Sequence, residues 1–311
     1  MISVKEAAKY YGLTATRLKQ IIKEDNLEIV REKNNYIKIP NATMAAINEK
    51  RGRKIEKKRI TIGIEKGGSG KSSLTIFTAI TLARYGYKVA VCDFDPEFCA
   101  SLFLAKDEDQ IRNGKTILDV FEEGKQIVDF LEKSRFDGVD FLPSRAKVRK
   151  LEKTLWGKNP KTLINKKLIG MDDIYDVIFF DLPPSFTTLC ASAYLSSSLI
   201  LCPVNSDIFS LESLFLTIED IEESAEQFEA KVPEIKVIKN KFSSETRKSA
   251  KAVATELNRE CSDFLLEVQI KNTSKIENCL NEGKSIWDDR GGDDVKASFL
   301  DLAKVVVGLD I

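Results

Sequence analysis

Apolar positions in residues 1–56 recur first at helical spacing and then in short strand-like runs. Ser3 followed by Glu6 is a capping-box signature, so a helix is predicted from Val4 through VKEAAKYY, with Gly12 ending it. Thr14 is placed to cap a second helix, ATRLKQIIKED, whose Leu18, Ile21 and Ile22 share one face. That helix turns Thr16, Arg17, Lys19, Gln20 and Lys23 outward. EIVREKNNYIKIP then reads as two short strands joined at Asn34–Asn35, and NATMAAINEKR as a third helix capped by Asn41. Two short helices about a glycine-containing turn, with a hairpin after them, match a winged helix-turn-helix module. Thr16, Arg17, Lys19 and Gln20 suit phosphate and base-edge contacts with double-stranded DNA. The same pattern also suits a small docking or dimerisation domain.

At Arg59 the pattern changes, and a second domain is expected over 57–311. RITIGI (59–64) is a short β-branched run, read as a buried strand. It feeds a glycine-rich loop, after which SSLTIFTAITLARYG reads as a helix ending at Gly86. Further strands are expected in YKVAVCDF, YDVIFFD, SLILCPV and IKVIKNKF (235–242). Residues 105–170 read as helices with little chemistry, and FLDLAKVVVGLDI as a last core helix. Strands alternating with helices predict an α/β fold, a doubly wound, mostly parallel sheet with ligands at the strands' carboxyl ends, and the glycine-rich loop between the first strand and its helix makes the expected type that of a P-loop NTPase.

Strand, glycine loop and helix is the phosphate-loop arrangement. Backbone N–H groups of such a loop and of the first helical turn converge on phosphates, and side chains there would block the approach. Gly67, Gly68 and Gly70 leave that room, with Ser69 between them and Ser73 on the first turn. Lys71 balances the β/γ charge of ATP, and the Ser72 hydroxyl is suited to ligate Mg²⁺. Position 65, where a glycine usually opens the motif, holds Glu65, and a second lysine, Lys66, follows it.

Lys66-Gly67-Gly68-Ser69-Gly70-Lys71-Ser72 satisfies the deviant motif K-G-G-x-G-K-[ST]. On that run the chain resembles the ParA/MinD family of deviant Walker ATPases, and most nearly its ParA-type DNA-partition members. The resemblance extends over roughly 58–306. It includes Asp93, Asp95 and Pro96 (D-x-D-P), Asp181 with Pro183-Pro184 (D-x-P-P), and the run from Pro203 to Glu212 (P-V-x-x-D-x-x-S-L-E). Glu97 stands where glutamine is common. The resemblance implies that Lys71 serves its own ATP while Lys66 reaches the nucleotide of a second subunit. It implies that Asp95 positions the attacking water, that Asp93 supports the metal shell, that Asp181 holds Mg²⁺, and that Asn240 reads adenine. It further implies an ATP-dependent homodimer, DNA contact through Arg247 with Lys248, Lys251 and Lys275, and a ParB-like centromere-binding protein that stimulates slow hydrolysis.

Charge sharpens this picture. Residues 1–59 hold 15 lysines and arginines against 7 acidic residues, leaving 33 against 41 in the rest. The excess peaks in KRGRKIEKKR (50–59), so a polyanionic partner is expected for the N-terminal module. The absence of histidine excludes histidine acid/base chemistry and most zinc sites. Six cysteines without C-x-x-C spacing read mainly as buried thiols and exclude carriers of that motif. No stretch reaches the length of a membrane span, and the C-terminal segment has few of the basic residues of a MinD-like membrane helix. A cytoplasmic, nucleoid-associated ATPase of DNA segregation is expected, with operator binding by the module. A nucleotide-sensing repressor and a positioning ATPase for a non-DNA cargo are the other readings.

Overall fold

The computed structural model describes residues 1–32, 36–51, 56–242, 248–288 and 291–309. Among them the N-terminal segment forms β1 (Ile2–Ser3), α1 (Val4–Tyr10), α2 (Ala15–Glu24), β2 (Val30–Arg31), β3 (Ile37–Ile39) and α3 (Asn41–Lys50). Both expected caps are present. Ser3 and Glu6 exchange hydrogen bonds across the first turn of α1, and the Thr14 hydroxyl accepts from the Arg17 amide. The α3 cap differs, because Pro40 occupies that position and Asn41 starts the helix. The Asn41 side chain instead donates to the Asp137 carbonyl at 2.8 Å, a partner far along the chain. The strands pair antiparallel in the order β1-β3-β2. The Asn34–Asn35 turn lies outside the described residues.

The remaining strands are β4 (Lys58–Ile62), β5 (Val89–Asp93), β6 (Glu132–Lys133), β7 (Val139–Leu142), β8 (Val177–Asp181), β9 (Leu199–Val204), β10 (Glu234–Phe242) and β11 (Leu265–Lys271). Among the described residues they form one sheet in the order β11-β10-β9-β4-β8-β5-β7-β6, parallel except for β6 against β7. β5, β8 and β9 are buried at every position, as expected of parallel strands covered on both faces. Strand β7 falls where only helices were expected, and β11 was not anticipated. Helix α4 (Lys71–Arg84) is almost wholly buried, with Phe77 packed edge-on against both Phe103 and Phe299 of the C-terminal helix Asp293–Val306.

The N-terminal segment is packed into the body, and one apolar cluster runs from Ile2 through α4 to Val306. At the carboxyl end of α4, Tyr10 packs on Tyr85 at 4.3 Å between ring centroids, the rings tilted by 39°, and shares a hydroxyl hydrogen bond with Tyr87 at 2.9 Å. Buried Asn48 accepts from the Tyr11 hydroxyl at 2.9 Å and donates to the Tyr85 carbonyl at 2.8 Å. Gly86, at φ +91°, lies against the α3 backbone, and a Cβ there would collide with Ala45. Thus α4 carries the glycine-rich loop at one end and the N-terminal segment at the other.

Candidate nucleotide site

The sheet register assembles the site. Asp181 pairs with Ile62 on one side and with Asp93 on the other, so two carboxylates and the start of the glycine-rich loop meet at one edge. The loop leaves β4 and enters α4 through Gly70, whose φ of +87° lies in the left-handed region open to glycine. A cavity of about 700 Å³ opens over this turn. Its walls include Gly67 through Ser73 and Asp95, with Arg135 and Leu280 through Gly283 farther along. A cavity of this size, with amides at a helix N-terminus for its floor, suits a phosphorylated ligand.

Lys71 is buried, and its Nζ donates to the carbonyls of Lys66 at 2.9 Å and Ile64 at 3.2 Å. Burial lowers its pKa, and the charges of Asp181 and Asp95 oppose that shift. Lys66 takes a different direction. Its Nζ contacts Asp207 Oδ1 at 2.5 Å and Ser210 Oγ at 2.7 Å, at the start of the helix Ile208–Gln227. Burial works to raise the Asp207 carboxyl, but the Lys66 contact outweighs it and leaves the carboxyl below its usual range. Lys66 is not in the walls of the cavity, so the two lysines face different surroundings.

The acidic residues divide in the same way. Asp93 is fully buried, and both oxygens are engaged: Oδ1 accepts from the Asp95 amide at 3.0 Å, and Oδ2 from the Ser101 amide and hydroxyl at 2.9 and 2.6 Å. Burial and then Asp181 push its pKa well up. Asp95 lines the cavity, and its Oδ1 accepts from the Glu97 amide at 2.8 Å. Burial raises its carboxyl as well. Asp181 is buried behind the first turn of α4, with Oδ1 accepting from Thr75 at 3.3 Å. Its Oδ2 is buried without a well-formed hydrogen bond. Burial drives the Asp181 pKa up, against the pull of Ser72. An orphaned carboxylate oxygen next to a hydroxyl is a donor set that fits a hard divalent cation.

Asn240 is not in the cavity walls; its Nδ2 donates to the Ser69 carbonyl at 2.7 Å and braces the loop. Thr16, Arg17, Lys19 and Gln20 are all exposed on α2, with Gln20 hydrogen-bonded to Glu24 at 2.7 Å. Lys248 and Lys251 are exposed at the start of the helix Lys248–Glu260, and Arg247 lies outside the described residues. Lys275 belongs to another helix, Ser274–Asn281, and packs over Gly292. Sequence reasoning assigned no role to Ser101, Thr75, Asp207 or Ser210, which hold the acids and the second lysine. The Asp207–Ser210 spacing is itself an N-cap signal, and Asp207 does cap its helix. Of the six cysteines, Cys99 alone is exposed. Among the described residues no helix is long and apolar enough to cross a membrane.

Comparison with known proteins places this geometry. The AAA_31 family, an AAA domain, matches residues 57–233. The cell division protein PomZ of Myxococcus xanthus is 28% identical over 239 residues, covering 75% of this chain and 73% of PomZ. A probable plasmid-partitioning protein ParA of Thermus thermophilus is 27% identical over 236 residues, covering 75% of this chain and 69% of its own length. Among solved structures, an McdA–ATP complex from Cyanothece matches with a TM-score of 0.73 at 18% identity, covering 83% of this chain and 99% of that one.

Proposed function

This chain belongs to the ParA-type P-loop ATPases of the ParA/MinD family, and from that premise we propose that it is a partition or positioning ATPase whose ATP-bound form is a homodimer. The observation that carries the reading is the division of labour between the two lysines. Lys71 lies in the wall of its own cavity on carbonyls that bound phosphates would replace as its partners. Lys66 stands outside that cavity on a polar contact that a second subunit's nucleotide could exchange for phosphate. That arrangement supports ATP as a component of the dimer interface.

Within each subunit, the amides of Gly67 through Ser73 hold the phosphates, and Asp95 holds the attacking water at the cavity edge. Asp93 acts through Asp95, fixing its amide and the following turn. The Ser72 hydroxyl and Asp181 Oδ2 would hold Mg²⁺. Bound there, the ion supplies charge neutralisation at the phosphate oxygens. Asn240 reads the base through its amide oxygen, which suits an adenine amino group, while Nδ2 stays on the Ser69 carbonyl.

DNA binding is proposed on two surfaces: the outward face of α2, and the basic positions Arg247, Lys248, Lys251 and Lys275. A ParB-like centromere-bound protein stimulates turnover. The fused core around α4 argues for testing the first surface by substitution rather than by deleting residues 1–56, because deletion would strip Tyr85 and Tyr87 of their cover. Arg17→Ala with Lys19→Ala should remove site preference and leave ATP-dependent nonspecific binding intact. Nonspecific affinity should fall by about 0.9 log unit per log unit of salt for each phosphate neutralised. Asp95→Ala should bind ATP and dimerise yet lose turnover by roughly a hundredfold. Undiminished turnover would remove Asp95 from the mechanism, and DNA binding that is indifferent to both ATP and salt would overturn the partition reading.

A further inference from the structure

Arg135 lies in the wall of the nucleotide cavity, and nothing said so far of the phosphates gives it a task. Its backbone amide donates to the Leu104 carbonyl at 2.9 Å. Its guanidinium rests on two aromatic rings, with its centre 4.6 Å from the Phe103 centroid and 5.1 Å from that of Phe136. Those rings are stacked on each other, 5.4 Å apart and 12° from parallel, and Phe103 meets Phe77 of α4 edge-on. The shelf under the guanidinium is thus tied to the helix that carries the glycine-rich loop.

Among the described residues the Arg135 side chain has neither an ion pair nor a hydrogen bond, so its five N–H donors are left to water. Glu282, an acid in the same wall, is paired with Lys284 at 2.8 Å. The next residue, Gly283, packs on the guanidinium: a Cβ there would stand 3.1 Å from Nη1 and 3.4 Å from Nη2, and its φ of +65° is left-handed. Backbone on one side and aromatic rings on the other hold the guanidinium at the cavity wall. A smaller cavity of about 120 Å³ adjoins this one and shares Ser73, Lys241 and Leu280 with it. Asn240 is in the wall of the smaller cavity.

We infer that Arg135 holds the sugar of the bound nucleotide, its guanidinium donating to the 2′- and 3′-hydroxyls of the ribose. With the phosphates on the loop and the base beside Asn240, the sugar falls between them, in the part of the cavity walled by Ile76, Gly283 and Arg135. Phosphate is the stronger partner for a guanidinium, but the loop amides, Lys71 and the metal already take the phosphates. Two vicinal hydroxyls present acceptors side by side, which two parallel N–H groups of a planar guanidinium meet. Arg135 is on this account a specificity residue that favours ribonucleotides over deoxyribonucleotides. The inference rests on nucleotide binding in this cavity and is independent of what the ATPase positions.

The test is titration calorimetry of the full chain with ADP, 2′-deoxy-ADP and 3′-deoxy-ADP in the presence of Mg²⁺. The diphosphates avoid turnover and keep ATP-driven dimerisation out of the measurement. Wild type should bind ADP at least about fivefold more tightly than either deoxy analogue. Arg135→Ala should lose that factor for ADP and bind the three nucleotides alike. Arg135→Gln, which keeps much of the packing on Phe103, should lose the preference too. Because the readout is a ratio within one protein, a general weakening of a variant's fold cancels. Wild type that binds the deoxy analogues as tightly as ADP would overturn the proposal, as would an Arg135→Ala protein that keeps the wild-type ratio. A loss in both variants shared equally by all three nucleotides would make Arg135 a packing residue for Leu280–Gly283 and overturn it as well. Wild type that binds no ADP at all would instead overturn the nucleotide reading beneath it.

Discussion

Substituting Asn48 by alanine tests whether the N-terminal segment is structurally one piece with the nucleotide helix. Asn48 sits at 1% exposure between α3 and the end of α4, and it makes two long-range hydrogen bonds. The Tyr11 hydroxyl keeps an alternative acceptor in the Met44 carbonyl at 3.2 Å, so its loss is modest. Among the described residues the carbonyl of buried Tyr85 has no second donor, so it is left without a partner. One lost neutral hydrogen bond costs about 1 kcal/mol, and an orphaned buried carbonyl about 1–3 kcal/mol, so the sum is roughly 2–3 kcal/mol after partial relaxation. With an unfolding entropy of about 2.1 cal/mol/K per residue, a chain of 311 residues shifts by about 1.5 °C per kcal/mol, so the midpoint should fall by roughly 3–5 °C. Calorimetry would measure the shift, and hydrogen exchange would show protection lost together in residues 1–51 and at the carboxyl end of α4. Arg17→Ala is the control, because its pairing with Glu24 at 3.7 Å is solvent-exposed and should change stability by less than about 0.5 kcal/mol. An Asn48→Ala protein melting within 1 °C of wild type, with exchange lost in the N-terminal segment alone, would refute a shared core.

Two further outcomes follow from the loop's contacts. Asp207→Asn keeps the N-cap but removes the charge that retains Lys66; the pair is partly open to solvent and worth about 0.2–1 kcal/mol per subunit, so the ATP dimer should tighten by up to roughly thirtyfold, and a weakened dimer in equilibrium sedimentation would show that Asp207 is needed in the closed state instead. Burial, together with the hydrogen bond to Asp220, raises the Glu65 carboxyl from 4.5 to about 7. The folded state therefore binds this proton more tightly, and the stability it contributes is present below about pH 4.5 and lost as pH rises through 7. Glu65→Gln should flatten that slope and exceed wild type in denaturant midpoint at pH 8; identical pH profiles for the two proteins would remove Glu65 from this account.

Local signals in the chain were legible because their partners lie within a few residues. The Ser3–Glu6 box, the Thr14 cap and the loop-to-helix turn at Gly70 each follow from short-range geometry. Strands β4, β5, β8 and β9 were recognisable as continuous apolar runs because both faces are covered. Strand β7 was hidden by its length and by Asp140, a buried acid that is tolerated because the Tyr175 hydroxyl and Lys133 satisfy it at 2.6 and 2.7 Å. Strand β11 does alternate, as LLEVQIK, and closer attention to period two would have found it. What no local pattern could reveal are pairings across long separations. Lys66 meets Asp207 from 141 residues away, and Asn41 meets Asp137 from 96. For the same reason Asn41 read as a cap when it instead braces the Asp137 carbonyl, and nothing near Asn240 in the chain announced that it braces the carbonyl of Ser69.

The central claim is that the two lysines of one loop serve two different nucleotides. Its most direct measurement is solution mass by light scattering with ATP, with ADP and without nucleotide, for the wild type, Lys71→Ala and Lys66→Ala, alongside nucleotide affinity for each. The account predicts that wild type doubles its mass with ATP, that Lys71→Ala binds no nucleotide, and that Lys66→Ala binds ATP yet stays at the mass of one chain. A Lys66→Ala protein that dimerises with ATP as wild type does would contradict it.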